Sequence, residues 1–239
     1  MTFGGGRLAL RLEAYRAFIF AFAAGALVTS ALIDVIPGAL EMLTRSGSSM
    51  DHRYLMFACS LGFLSFYLLE EFAHSRAPTH ALTPATAAHA DHWGAPYAGL
   101  WGAVGISVHS LLDGVAIGEA FQAGTGVGWI VSLAVIVHKF ADGVSTVGVL
   151  VSTGRSSRVA NRILVITALA PLAGLVLQTV VPLPLSLLAL LLGWFSGVFL
   201  YLGAAALMPA ARAASQSRWL PAATLSGATL VYLLLRASA

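Results

Sequence analysis

Two short segments of this chain carry the same arrangement of groups able to hold a cation. His109-Ser110-Leu111-Leu112-Asp113-Gly114 and His138-Lys139-Phe140-Ala141-Asp142-Gly143 each place an imidazole and a carboxylate four residues apart, with a glycine directly after. On an α-helix, positions i and i+4 lie on one face, one turn apart. Each segment therefore offers one nitrogen and one oxygen ligand toward a single point. Two such helices side by side would gather four ligands: His109, Asp113, His138 and Asp142. Imidazole nitrogen and carboxylate oxygen, with no thiolate, suit Zn²⁺ and other first-row divalent ions. Two carboxylates would neutralise a dication. The set lacks the soft, all-cysteine grip of a permanent zinc site, so it suits an ion that must also be released.

The elements that position these residues are membrane helices. The chain has 239 residues, of which 58% are hydrophobic and 10% charged, with a mean hydropathy of +0.85. Soluble domains carry roughly 25% charged residues. A bilayer-spanning helix needs about 20 mostly apolar residues. The pattern predicts seven spans: A (15–42), B (54–74), C (95–123), D (129–152), E (163–181), F (185–208) and G (219–235). The fold class is thus all-α, a polytopic membrane helical bundle forming a single transmembrane domain over 1–239. Residues 1–14 read as a short basic leader, with no cleavable signal. Pro37-Gly38 should kink or end the apolar part of span A, and Pro171 should interrupt span E. Gly124 to Gly128 reads as a tight turn that makes spans C and D antiparallel neighbours. Gly102, Gly105, Gly114 and Gly118 on C, with Gly143 and Gly148 on D, would let these two backbones approach closely.

Loop charges set an orientation, because Lys and Arg collect on the cytoplasmic side. Arg7, Arg11, Arg16, Arg76, Arg155, Arg158, Arg162, Arg212 and Arg218 fall on one side, against Arg45, Arg53 and Arg236 on the other. This predicts a cytoplasmic N-terminus and a cytoplasmic His-containing loop over 75–94, in an integral multi-pass protein of the plasma (inner) membrane. The expected partners are a metal ion and the lipid bilayer. The scattered arginines read as topology, not as a nucleic-acid surface. A single cysteine, Cys59, excludes an internal disulfide and any multi-cysteine metal site.

HSLLDGVAIGEAF followed by a helix with HKFADG resembles the paired metal-binding helices of the ZIP family of zinc and iron transporters. AFAAGALVTSALIDVIPGAL resembles the family's second helix, and GFLSFYLLEEFAH its third, which precedes a variable His-bearing loop. The resemblance implies a divalent metal transporter, not an enzyme. Zn²⁺ would be the transported substrate, with iron, manganese or cadmium as further cargo. It would move into the cytoplasm by alternating exposure of a site on spans C and D, in a protein that forms homodimers. The family's eight spans imply that the first is missing here. Ser110 stands where the family usually has Asn, and Leu112 and Ala141 where many members have Pro. Asp34 and Gly38 replace a common His and Glu. Lys139 occupies the place of an acidic ligand in two-metal members, which implies one metal rather than two.

Other polar residues have plainer readings beside functional ones. Asp34, Ser110 and Lys139 are expected to support the site or line its path, and Lys139 could pair with Asp113 or Asp142. Glu119 either attracts cations near the outer end of span C or is a solvated helix end. Glu70-Glu71 reads as the interfacial end of span B. His74, His80, His89 and His92 could hold zinc loosely. Two other function classes compete: an intramembrane zinc-dependent hydrolase, and a non-transporting metal-binding subunit. The hydrolase reading is disfavoured because spans E, F and G contain no His, Asp, Glu or Lys.

Overall fold

The computed structural model describes residues 1–11, 15–75, 96–181 and 183–238; the side chains of His138 and several other helical residues lie outside that description. Among the described residues every regular element is a helix. In chain order these are α1 (Thr2–Arg11), α2 (Arg16–Arg45), α3 (His52–Ser75), α4 (Pro96–Ala123), α5 (Thr125–Ser152), α6 (Ser157–Val180), α7 (Leu185–Ala214) and α8 (Leu220–Ser238). The predicted spans A to G correspond to α2 through α8. Among the described residues, five stretches are long and apolar enough to cross a membrane: Arg16–Arg45, His52–Phe72, Gly99–Gln122, Ser157–Val180 and Leu185–Ala214. Leu220–Arg236 is a shorter apolar helix. The chain is an all-α integral membrane bundle. The His-containing loop, with His80, His89 and His92, lies outside the described residues, as does the side chain of His74.

Within residues 1–14, read from the sequence as a short basic leader, the structure describes a helix. Thr2–Arg11 forms a helix whose Thr2, Gly5, Gly6 and Ala9 are buried against the bundle. Three consecutive glycines disfavour a helix by about 1 kcal/mol each relative to alanine. Here they permit a backbone contact that larger residues would block. A Cβ on Gly5 would stand 2.3 Å from the carbonyl oxygen of Phe140, and one on Gly143 would stand 1.9 Å from that of Thr2. Packing in a membrane rests on such close approach rather than on expulsion of water.

The prolines do not break their helices. Both α2 and α7 contain a π-helical segment, Ser30–Val35 and Tyr201–Leu207, and each is followed two residues later by proline, Pro37 and Pro209. The Ile36 amide reaches back five residues to the Ala31 carbonyl, and the Met208 amide reaches back five to Gly203. A proline ring normally clashes with the carbonyl four residues earlier. The widened turn accommodates it, so the helix continues. Pro171 likewise lies inside an uninterrupted α6.

The turn between α4 and α5 is a single residue, Gly124, with φ +152° and ψ 147°. Only glycine adopts that region readily. Helix α5 therefore begins at Thr125, earlier than expected, and is 28 residues long. The contacts Gly102 with Val149, Asp113 with Lys139 and Phe121 with Trp129 run in opposite directions along the two helices, so the pair is antiparallel as predicted.

The glycines pair differently from expectation. Gly114 faces α6, where a Cβ would meet the Pro171 carbonyl oxygen at 1.9 Å, and Gly174 of α6 faces the Leu111 carbonyl oxygen at the same distance. Gly118 also faces α6, through Gln178. Gly105 faces Phe66 and Val198, and Gly148 faces Ala23, Leu207 and Phe20. Of the six, Gly102 alone meets the α4–α5 partner, at Val149, and it meets Leu202 as well. Reciprocal glycines also join α2 to α8 (Gly25, Gly227) and α3 to α7 (Gly62, Gly197).

Candidate metal centre

The centre lies between α4 and α5. His109, Ser110 and Asp113 come from α4; Lys139 and Asp142 come from α5. All five are buried, none more than 6% exposed. The i, i+4 spacing brings His109 Nε2 to 3.5 Å from Asp113 Oδ2. The antiparallel register then sets Asp142 opposite. His109, Asp113 and Asp142 each offer a ligand atom, and these atoms lie within 4.8 Å of one another. Ligands around a tetrahedral zinc with bonds near 2.1 Å are separated by about 3.4 Å. A small closure would bring these three to that spacing. His138 lies on α5 one turn before Asp142, but its side chain is outside the described residues.

From the sequence, Lys139 is expected to support the site or line its path, with a pairing to Asp113 or Asp142. Its ammonium does not choose between the acids; it joins both. Nζ lies 2.5 Å from Asp113 Oδ2 and 2.6 Å from Asp142 Oδ2, and donates to Ser110 Oγ at 2.9 Å. One positive charge thus sits between two negative ones in a place removed from water, where charges are tolerated only when paired. Ser110, expected to support the site or line its path, faces this ammonium.

Aromatic rings from α7 fix His109. Phe199 meets its ring edge to face, with centroids 4.6 Å apart, and Phe195 packs beside it at 6.1 Å. Phe199 is fully buried. These rings were not singled out from the sequence, because a phenylalanine in an apolar run carries no sign of its partner. On α5, the Thr146 hydroxyl donates to the Asp142 carbonyl at 2.8 Å, closing the helix surface below the acid.

The other candidates fall elsewhere. Asp34 sits half-buried in the π-helical segment of α2 and is not part of the three-ligand group. Glu119 accepts a hydrogen bond from the buried Gln178 of α6 at 3.1 Å, so it is tied to a neighbour rather than simply solvated. Glu70 accepts a hydrogen bond from Tyr201, the first residue of the π-helical segment in α7.

Comparison with known proteins points the same way. The sequence model described as ZIP Zinc transporter matches residues 85–235. Zinc transporter zipt-7.1 of Caenorhabditis briggsae is 35% identical over 77 residues, covering 32% of this chain and 20% of that protein. Zinc transporter SLC39A7 of Mus musculus is 36% identical over 66 residues, covering 28% of this chain and 14% of that protein. Zinc transporter zipt-7.2 of Caenorhabditis elegans is 37% identical over 70 residues, covering 29% and 15%. The matched stretches thus span a fifth or less of the length of these curated relatives. The family match takes in α4, α5, α6 and α7 whole and most of α8, more than half of the chain, and by it the chain belongs to the ZIP Zinc transporter family.

Proposed function

We propose that this chain carries zinc across a membrane through the centre on α4 and α5, with His109, Asp113, His138 and Asp142 as the ligands. The single observation that carries the proposal is the buried convergence of His109, Asp113 and Asp142 in a chain of this family. Ligand chemistry extends the cargo class to other borderline divalent ions such as iron, manganese or cadmium. By the arginine bias the N-terminus and the 75–94 loop face the cytoplasm, in the plasma (inner) membrane, and the ion moves inward. Alternating access follows from movement of one group of helices against another. A homodimer is the expected assembly. Members of the family are transporters, so the hydrolase alternative is set aside.

The test is zinc uptake into proteoliposomes. An Asp113→Ala/Asp142→Ala variant, compared at equal amounts of inserted and monodisperse protein, should lose uptake. Uptake equal to that of the parent would refute the assignment of this centre. One observation favours a second reading, a metal-binding subunit that does not transport: the Lys139 ammonium already takes an oxygen of each carboxylate. Zinc binding without flux in the parent chain would select that reading.

A further inference from the structure

The Lys139 ammonium has a partner for each of its N–H donors. An ammonium has three N–H donors, and three acceptors surround this one: Asp113 Oδ2 at 2.5 Å, Asp142 Oδ2 at 2.6 Å and Ser110 Oγ at 2.9 Å. Lysine, serine and both acids are buried. A divalent ion bound by the two carboxylates would lie about 2.0–2.2 Å from an oxygen of each, in space that the ammonium takes here. The two cations compete for the same pair of carboxylates. Lys139 is also three residues from Asp142 on the same helix, so it stays beside that acid whatever the ion does.

A carrier must return across the bilayer after unloading. Two bare carboxylates in the middle of the membrane would oppose that return. We propose that Lys139 is a tethered surrogate for the transported ion: its ammonium takes the ion's place between Asp113 and Asp142 once the ion has left, and so allows the unloaded carrier to return. This rests on the carrier reading given above. It makes the lysine a competitor of the ion during loading and an aid during the return, so it sets turnover at some expense of affinity. Ser110 is then a positioning residue that seats the ammonium.

Two fluxes of zinc separate these roles, both measured on the full chain in the same proteoliposomes. Net uptake into zinc-free vesicles requires the unloaded return. Exchange into vesicles preloaded with zinc does not. Lys139→Met should lower net uptake relative to exchange by about tenfold, with a lower half-saturating zinc concentration for exchange. Ser110→Ala, which removes one acceptor and keeps the lysine and both acids, should lower the same ratio by about threefold. Lys139→Arg, which keeps the charge, should hold the ratio nearer the parent value. A ratio equal to the parent's in both Lys139→Met and Ser110→Ala overturns the proposal. Should Lys139→Met carry neither flux, the Ser110→Ala ratio decides alone: a fall supports the surrogate, and an unchanged ratio overturns it. If the parent itself carries neither flux, the carrier reading fails, and the surrogate with it.

Discussion

Removing Asp142's charge while leaving Lys139 tests whether the ammonium is shared between the two acids. At 2.6 Å the Lys139–Asp142 attraction is about 6 kcal/mol at an effective dielectric constant near 20, before desolvation is subtracted. Breaking a buried pair by deleting one partner costs about 3–5 kcal/mol. Asp113 and Ser110 remain beside the ammonium, so Asp142→Asn should fall at the low end, about 3 kcal/mol. Lys139→Met is the harsher change, because it leaves two buried carboxylates facing each other. The combination Lys139→Met/Asp142→Asn restores the balance to one negative charge, with His109 3.5 Å from Asp113. The double variant should therefore be more stable than the sum of the singles implies, by about 2–3 kcal/mol. At about 2–4 °C per kcal/mol for a chain of this size, the shortfall appears as about 4–12 °C in the Tm of detergent-purified protein. Added zinc should raise the Tm of Lys139→Met more than that of the parent, because bound ligand stabilises by mass action and the competing ammonium is gone. Strictly additive Tm losses, or equal zinc shifts in both proteins, would refute the shared-ammonium geometry.

Two further outcomes follow from the packing. Gly114→Ala places a methyl group 1.9 Å from the Pro171 carbonyl oxygen and 2.9 Å from the Leu175 amide, backbone atoms that cannot turn away. It should cost at least the 1–3 kcal/mol typical of overpacking, whereas Gly105→Ala, whose nearest neighbours lie at 3.5 and 3.6 Å, should raise the Tm by about 1–4 °C, the gain expected of alanine over glycine in a helix. Tyr201→Phe removes the donor to Glu70. A hydrogen bond to a charged group contributes about 1.5–3 kcal/mol, and a Tm drop corresponding to the lower figure is expected because Glu70 is only half-buried; an unchanged Tm would show that the pair contributes nothing to the fold.

Much of this site can be read from two short strings of residues. The i, i+4 spacing alone brings His109 and Asp113 together, and the antiparallel turn at Gly124 brings Asp142 to them. What the strings do not contain is the register across the turn. The sequence left five residues, Gly124 to Gly128, for the connection, whereas the chain uses one. A shift of one or two residues rotates a helix by 100° or more, enough to turn Lys139 away from Asp113 on the facing helix. Its bridging position therefore could not be fixed until the helix start was known. Helix α1 was hidden for a different reason: glycine-rich segments score poorly as helices, and the compensating contact belongs to α5, more than a hundred residues away.

The glycines that follow the acids show how one dipeptide does two structural tasks. Consecutive residues on an α-helix point 100° apart. If Asp113 faces α5, Gly114 cannot face α5 as well, and it meets α6. If Asp142 faces α4, Gly143 must look to another neighbour, and it meets α1. In each copy of the motif the acid is turned toward the candidate centre while the next residue seats a flanking helix backbone to backbone. The flanking contact fixes the rotation of the helix about its axis, and with it the direction of the carboxylate. Position and ligand are thus coupled through a single peptide bond. A methyl group at either glycine presses on a neighbouring carbonyl and tends to turn the adjacent acid away from the partner that shares its charge.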